Sequence, residues 1–240
     1  MQNSYKEFSQ IYDLLMDIDY EKWTAFIMNK IKNKRKILEA ACGTGGITKI
    51  LADNNYKVTA FDLSEDMLMR AYEKLKHSPM VRFLNQNMVD FKIDDKFDAA
   101  ICCCDGINYL TKEEVGLFFK RVCNHLSENS KFIFDMSTEY KYETMFSDTY
   151  VYDDGDIFYV WENELADNGI INIEINFFIK DTINKYNRIT EEQTQYVHTT
   201  YEVINMLKDA GFENIEIFDD YNEKEYSEDS LRVVFCANKI

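Results

Sequence analysis

The chain reads as an α/β protein: a doubly wound parallel sheet with helices on both faces and a small antiparallel β insert after the fifth strand. Three observations predict this. Ile37, Leu38, Ala40 and Ala41 form a short apolar run that stops at Gly43, Gly45 and Gly46, the pattern of a buried parallel strand ending in a tight turn before a helix. Five such runs alternate with helical periodicity up to Met136, which makes a parallel sheet the economical arrangement. Between Ser137 and His198 the apolar period then switches to two.

Composition sets the outer limits. The 240 residues suffice for one full α/β core with a modest insertion. Forty-three acids against twenty-seven bases give a net charge of −16, which opposes binding to a phosphate backbone and argues against a nucleic-acid partner. The basic run Lys30–Lys36 reads as a solvated helix end. With no membrane-length apolar run and a polar start at Met1–Lys6, a cytoplasmic protein without a membrane partner is expected. The six cysteines have no C-x-x-C spacing and histidines number three, so no metal site is expected.

In chain order, Tyr5, Phe8, Tyr12, Leu15 and Met16 recur at helical spacing, as do Trp23, Phe26, Ile27 and Ile31, so two amphipathic helices are expected before the first strand. Glu39 lies two residues before the strand end, where a buried carboxylate is costly unless something polar pairs with it. A dinucleotide site would need G-x-G-x-x-G, but counting from Gly43 puts Thr48 in the third glycine position. A second strand, Lys57–Phe61, ends at Asp62. There a carboxylate sits beside the glycine turn and can accept hydrogen bonds from both hydroxyls of a ribose, with Leu63 and Met67 flanking a base. Ser64 is the better cap for the next helix, which leaves Asp62 free.

Glu39-Ala-Ala-Cys-Gly-Thr-Gly resembles the E/D-x-x-x-G-x-G motif of class I S-adenosylmethionine-dependent methyltransferases. The opening Y-D-x-L-x-x-x-x-Y-x-x-W at Tyr12, Tyr20 and Trp23 is similar to small-molecule members, whose segment closes over the methionine end of the cofactor. Phe97-Asp98 with Tyr109-Leu110 matches the same family. After the third strand, Val81–Leu84, many relatives carry Asp-Met, the acid taking the adenine amino group. This chain carries Asn87-Met88, whose amide carbonyl accepts without charge assistance. The resemblance implies a Rossmann-like seven-stranded methyltransferase sheet and S-adenosylmethionine as cofactor. It implies cofactor contacts from Tyr12, Trp23, Glu39, Ala41, Gly43, Gly45, Asp62, Leu63, Met67, Asn87, Met88, Cys102 and Cys103. Tyr12 and His198 are the candidates by position for a general base, should the acceptor need one.

The fourth strand is Phe97–Cys104 and the fifth Lys131–Met136, with a capping box at Thr111 and Glu114 opening the helix between them. Asp154-Gly155 and Asn168-Gly169 mark hairpins in the insert, 137–198, which is either a substrate lid or a homodimer surface. The core, 1–136 and 199–240, resumes with a capping box at Thr199 and Glu202, a left-handed cap at Gly211, and strands Ile215–Phe218 and Leu231–Ala237. The reading is methyl transfer to a small molecule, an amine by resemblance to sugar-amine and glycine N-methyltransferases. A tRNA or protein methyltransferase, or a non-catalytic cofactor-binding protein, are the alternatives.

Overall fold

The computed structural model describes residues 12, 18–145, 149–182 and 185–240. Most of the first expected helix, including Tyr5, Phe8, Leu15 and Met16, lies outside them. Helix α1 (Tyr20–Lys30) starts at Asp19, whose carboxylate accepts from the Lys22 amide, and it buries Trp23, Phe26 and Ile27. Strands and helices then alternate: β1 (Lys36–Ala40), α2 (Gly46–Asp53), β2 (Lys57–Asp62), α3 (Glu65–Leu75), β3 (Val81–Asn85), β4 (Phe97–Cys102), α4 (Lys112–His125) and β5 (Leu126–Ser137). After the insert come α6 (Thr200–Asp209), β10 (Phe212–Asp219) and β11 (Arg232–Lys239).

These strands form one seven-stranded sheet in the order β10-β11-β5-β4-β1-β2-β3. The five strands from β3 to β5 run parallel, while β11 is antiparallel to both β5 and β10. Alternate residues serve opposite faces. Leu38 packs with Phe118, Phe119 and Phe132 on the α4 and α6 side, and Ile37 packs with Phe26, Ile27 and Leu51 on the α1 and α2 side. Helices on both faces explain why the strands are almost continuously apolar. Chain order reverses between β1 and β4, so their carboxyl ends open the crevice in which ligands of such sheets bind.

Both capping boxes are present, Thr111 with Glu114 and Thr199 with Glu202, and Gly211 has φ +97°. Strand β4 stops at Cys102 instead of continuing to Cys104, because Cys104 and Asp105 turn to φ +62° and +59°.

The insert begins with a short helix, α5 (Glu139–Met145), which strand periodicity did not predict. Thr138 opens it, its Oγ1 accepting from the Lys141 amide at 3.1 Å. The strands β6 (Tyr150–Asp153), β7 (Ile157–Ala166), β8 (Ile170–Thr182) and β9 (Lys185–Tyr196) make a four-stranded antiparallel sheet in chain order. Both expected hairpins form. Asn168 and Gly169 take φ +67° and +72° in the tight three-residue connection, 167–169, between the paired Ala166 and Ile170. One face of this sheet, Ile171, Ile173, Ile175 and Phe177, is buried against Tyr142 and against Met67 of α3, with Tyr12 and Trp161 at its margin.

Candidate active site

The site is built at the turn after β1. Ala41, Gly43 and Gly45 all have positive φ, at +51°, +53° and +78°. The turn therefore folds back on itself and presents backbone to ligand space. A Cβ placed on Gly43 would meet nothing within 4 Å, so that side of the turn is open. A Cβ on Gly46 would lie 2.7 Å from the Tyr20 ring, so the tyrosine lies directly on the glycine.

Asp62, at the end of β2, is tied to this turn. Its Oδ2 accepts from the Gly43 amide at 2.8 Å and its Oδ1 from the Ser64 amide at 2.9 Å. The expectation that Asp62 is left free is corrected on this point, although Ser64 does cap α3 through the Met67 amide. Each carboxylate oxygen keeps a lone pair beyond its backbone bond. Burial raises the Asp62 carboxyl above its ordinary range, against the lowering effect of the Ser64, Gly43 and Leu63 amides. Asn85, which the sequence did not single out, braces the strand end by donating to the carbonyls of Asp62 (3.1 Å) and Leu63 (2.9 Å). Leu63 itself is 68% exposed.

Glu39 is 4% exposed and finds its polar partner in Thr48, whose hydroxyl donates to Oε2 at 2.7 Å. The residue that breaks the dinucleotide pattern is thus the one that satisfies the buried acid. Burial pushes the Glu39 carboxyl up to about 8; the Thr48 bond opposes this and Asp62 adds to it.

A cleft of about 340 Å³ opens beside the turn, lined by Glu39 and Gly43, by Cys103 and Cys104, and by Tyr12 and Tyr20. Ala41 also borders it. Burial, with Cys104 and Tyr20 alongside, holds the Tyr12 phenol well above its ordinary range, so it keeps its proton and is a donor in place of a base.

Other expected residues are placed differently. Trp23 does not border the cleft: it stacks on Tyr221 at 4.3 Å and lies 4.9 Å from the Arg232 guanidinium, while Tyr20, one turn earlier on α1, takes the place over the glycines. His198 is wholly buried, its Nε2 donating to the Leu110 carbonyl at 2.9 Å, and burial lowers its pKa. It is therefore a neutral structural histidine away from the cleft, which removes it as a base candidate. Cys102 is fully buried, 3.9 Å from the Met88 sulfur, and only Cys103 of that pair borders the cleft. Asn87 Oδ1 accepts from the Val89 amide at 3.0 Å, so one of its two lone pairs is used locally. Met67 is 6% exposed and packs against the insert. Among the described residues no group of three His, Cys, Asp or Glu side chains is placed to hold a metal ion, and no helix is long and apolar enough to cross a membrane.

This sheet order, with a glycine turn and an acid at the two neighbouring strand ends, is the methyltransferase fold. Residues 37–129 match the methyltransferase-domain family. The protein YqeM of Bacillus subtilis (strain 168), a methyltransferase by name, is 35% identical over 240 residues, spanning 98% of this chain and 97% of that protein. A crystal structure of an S-adenosylmethionine-dependent methyltransferase from Clostridium acetobutylicum ATCC 824 superposes with a TM-score of 0.89 at 33% identity, covering 98% of this chain and 99% of that one. A dTDP-3-amino-3,4,6-trideoxy-alpha-D-glucopyranose N,N-dimethyltransferase of Streptomyces venezuelae is 28% identical over 126 residues, 49% of this chain and 52% of that protein. The chain belongs to the class I S-adenosylmethionine-dependent methyltransferases. It is an enzyme with S-adenosylmethionine as cofactor.

Proposed function

We propose that this enzyme methylates an amine on a small molecule, with the cofactor seated across the carboxyl ends of β1, β2 and β4. The observation that carries the seat is the Asp62 carboxylate, fixed by the Gly43 and Ser64 amides with one lone pair left on each oxygen. Two such acceptors on one rigid group suit the vicinal hydroxyls of a ribose. Leu63, exposed beside it, and the Asn87-Met88 segment suit the adenine; the open face of Gly43 and the cleft at Glu39 suit the methionine end.

S-adenosylmethionine supplies a methyl already activated on a sulfonium. What remains for the chain is to align an acceptor and exclude water, and orientation alone can contribute up to roughly 7–11 kcal/mol. A neutral amine needs no base, in keeping with a Tyr12 phenol that holds its proton and with a His198 that lies elsewhere. The amine reading is supported by the amino sugar in the Streptomyces venezuelae relative's name and by a charge of −16, which disfavours nucleic acid. The insert, packed over Met67 and against Tyr12, is suited to closing the acceptor side.

Calorimetric titration of S-adenosylmethionine into Asp62 variants tests the seat. Each charged hydrogen bond contributes roughly 1.5–3 kcal/mol, so losing the pair to the two ribose hydroxyls in Asp62→Ala should weaken binding at least about a hundredfold. Because Asp62 also receives two backbone amides, that variant will melt lower as well. Asp62→Asn keeps one acceptor oxygen but turns the other into an NH2 that cannot accept from Gly43 or Ser64, so both its affinity and its melting temperature should fall between the two. Equal affinities in all three proteins would overturn the reading.

A further inference from the structure

We infer that Arg232 is a positioning residue for the cofactor cleft: from β11 it clamps the Cys104–Asp105 turn in the left-handed conformation that sets one wall of the cleft. Arg232 belongs to neither the glycine turn nor the cleft lining, and it comes from the antiparallel end of the sheet.

The turn needs a clamp. Cys104 and Asp105 are consecutive non-glycine residues with φ +62° and +59°, in a region that L side chains disfavour. Its position is also tightly bounded. A Cβ on the next residue, Gly106, would lie 2.6 Å from Cys102 Sγ and 3.4 Å from the Ala41 Cβ, so the two loops that border the cleft interlock there. A small rotation at Asp105 therefore moves Cys103 and Cys104 relative to Ala41 and Gly43.

The clamp is Arg232. Its guanidinium forms a fork onto Asp105, Nη1 to Oδ1 and Nη2 to Oδ2, the latter at 3.0 Å. Nη1 also donates to Asp135 Oδ2. Asp135 is fully buried on β5 and accepts the Asp105 amide on its other oxygen at 3.2 Å, so the turn is held by both its backbone and its side chain. Lys141 lies 3.9 Å from Asp105 and completes the charge balance at two acids and two bases. Trp23 covers the guanidinium at 4.9 Å, and on the same helix Tyr20 lies over Gly46. One arginine thus joins β5, β11, α1 and the turn after β4. A planar fork seated on an aromatic ring is geometry that lysine cannot reproduce.

The test uses S-adenosylhomocysteine affinity by calorimetry beside thermal melting of the full chain. Arg232→Lys preserves charge and should melt within a few degrees of the parent, yet bind at least about tenfold more weakly. Glycine adopts positive φ without strain, so Asp105→Gly is the background in which the turn no longer depends on Arg232, and its own affinity is measured beside that of the double variant. In the double variant, Asp105→Gly should restore most of the affinity lost in Arg232→Lys, because the turn no longer needs the clamp. Two results overturn the inference: Arg232→Lys binding like the parent, or a double variant no better than Arg232→Lys. Should Arg232→Lys fail to fold, the Asp105→Gly background, in which Arg232→Lys is then expected to fold and bind, carries the same decision. If the parent itself binds no S-adenosylhomocysteine, it is the cofactor seat that fails, which separates the two claims.

Discussion

The two sheets of this chain bury their residues by different rules. In the seven-stranded sheet, every residue of β1 after Lys36 is buried, and an acid, Glu39, is buried with them. In the four-stranded sheet β8 alternates, with Ile171, Ile173 and Ile175 buried and Asn172 and Glu174 exposed. The first has helices on both faces and leaves only its strand ends free, so a ligand must come to the carboxyl edge. The second has one apolar face, which it spends on Met67 and Tyr142. The proposed cofactor seat lies on the first sheet, and the second is proposed to close over the acceptor.

The comparison breaks most visibly if the insert is removed. Replacing Tyr150–Tyr196 with a short linker should abolish methyl transfer to an amine panel while S-adenosylhomocysteine affinity stays within about tenfold, roughly 1.4 kcal/mol. Transfer that survives would show that the four-stranded sheet serves something other than the acceptor.

A second effect belongs to the core alone. Glu39 ionises at about 8 in the fold against an ordinary 4.5, so the stability it contributes is complete below pH 4.5 and is lost as pH rises through 8. Without ligand, Glu39→Gln and the parent should differ little in melting at pH 4.5. The variant should melt higher at pH 9, by up to about 5 kcal/mol in stability. Parallel melting curves across that range would place the Glu39 carboxylate in contact with water.

Smaller still is Gly45→Ala. Its Cβ would take φ +78° and lie 3.0 Å from the Ala71 Cβ, costing about 1–3 kcal/mol of stability. Cofactor affinity should fall with it, since the turn is shared; a variant that melts like the parent would mean that the turn relaxes freely.

The smallest change lies between the sheets. The Tyr142 hydroxyl donates to Gln195 at 2.9 Å. Tyr142→Phe should cost about 1 kcal/mol in denaturant unfolding and leave cofactor affinity unchanged. A loss of affinity there would mean that the insert takes part in cofactor binding.

The legible parts of the sequence were those in which a local rule fixes the outcome. Apolar runs before glycines, capping boxes at Thr111 and Thr199, and Asn168-Gly169 each act within a few residues, and all appear as read. Helix α5 was hidden because its start depends on the Thr138 hydroxyl and its buried side on Tyr142, inside a segment whose strands dominate the period. At the site, the glycine turn and Asp62 are visible in the sequence, whereas Thr48 reads there only as a missing glycine. Its partnership with Glu39 spans nine residues and needs the strand and helix brought together. Tyr20 and Trp23 share a helix, so sequence alone could not say which ring reaches the glycines and which turns to Tyr221. Arg232 was invisible because its partners, Asp105 and Asp135, are about a hundred residues away.

The central claim, that the cofactor seat belongs to the seven-stranded sheet, is met most directly by hydrogen exchange of the parent enzyme with and without saturating S-adenosylhomocysteine. Amides of residues 41–46, 62–64, 85–88 and 103–106 should slow together, while those of β7, β8 and β9 change little. Protection confined to the insert, or none at the glycine turn, would contradict the account.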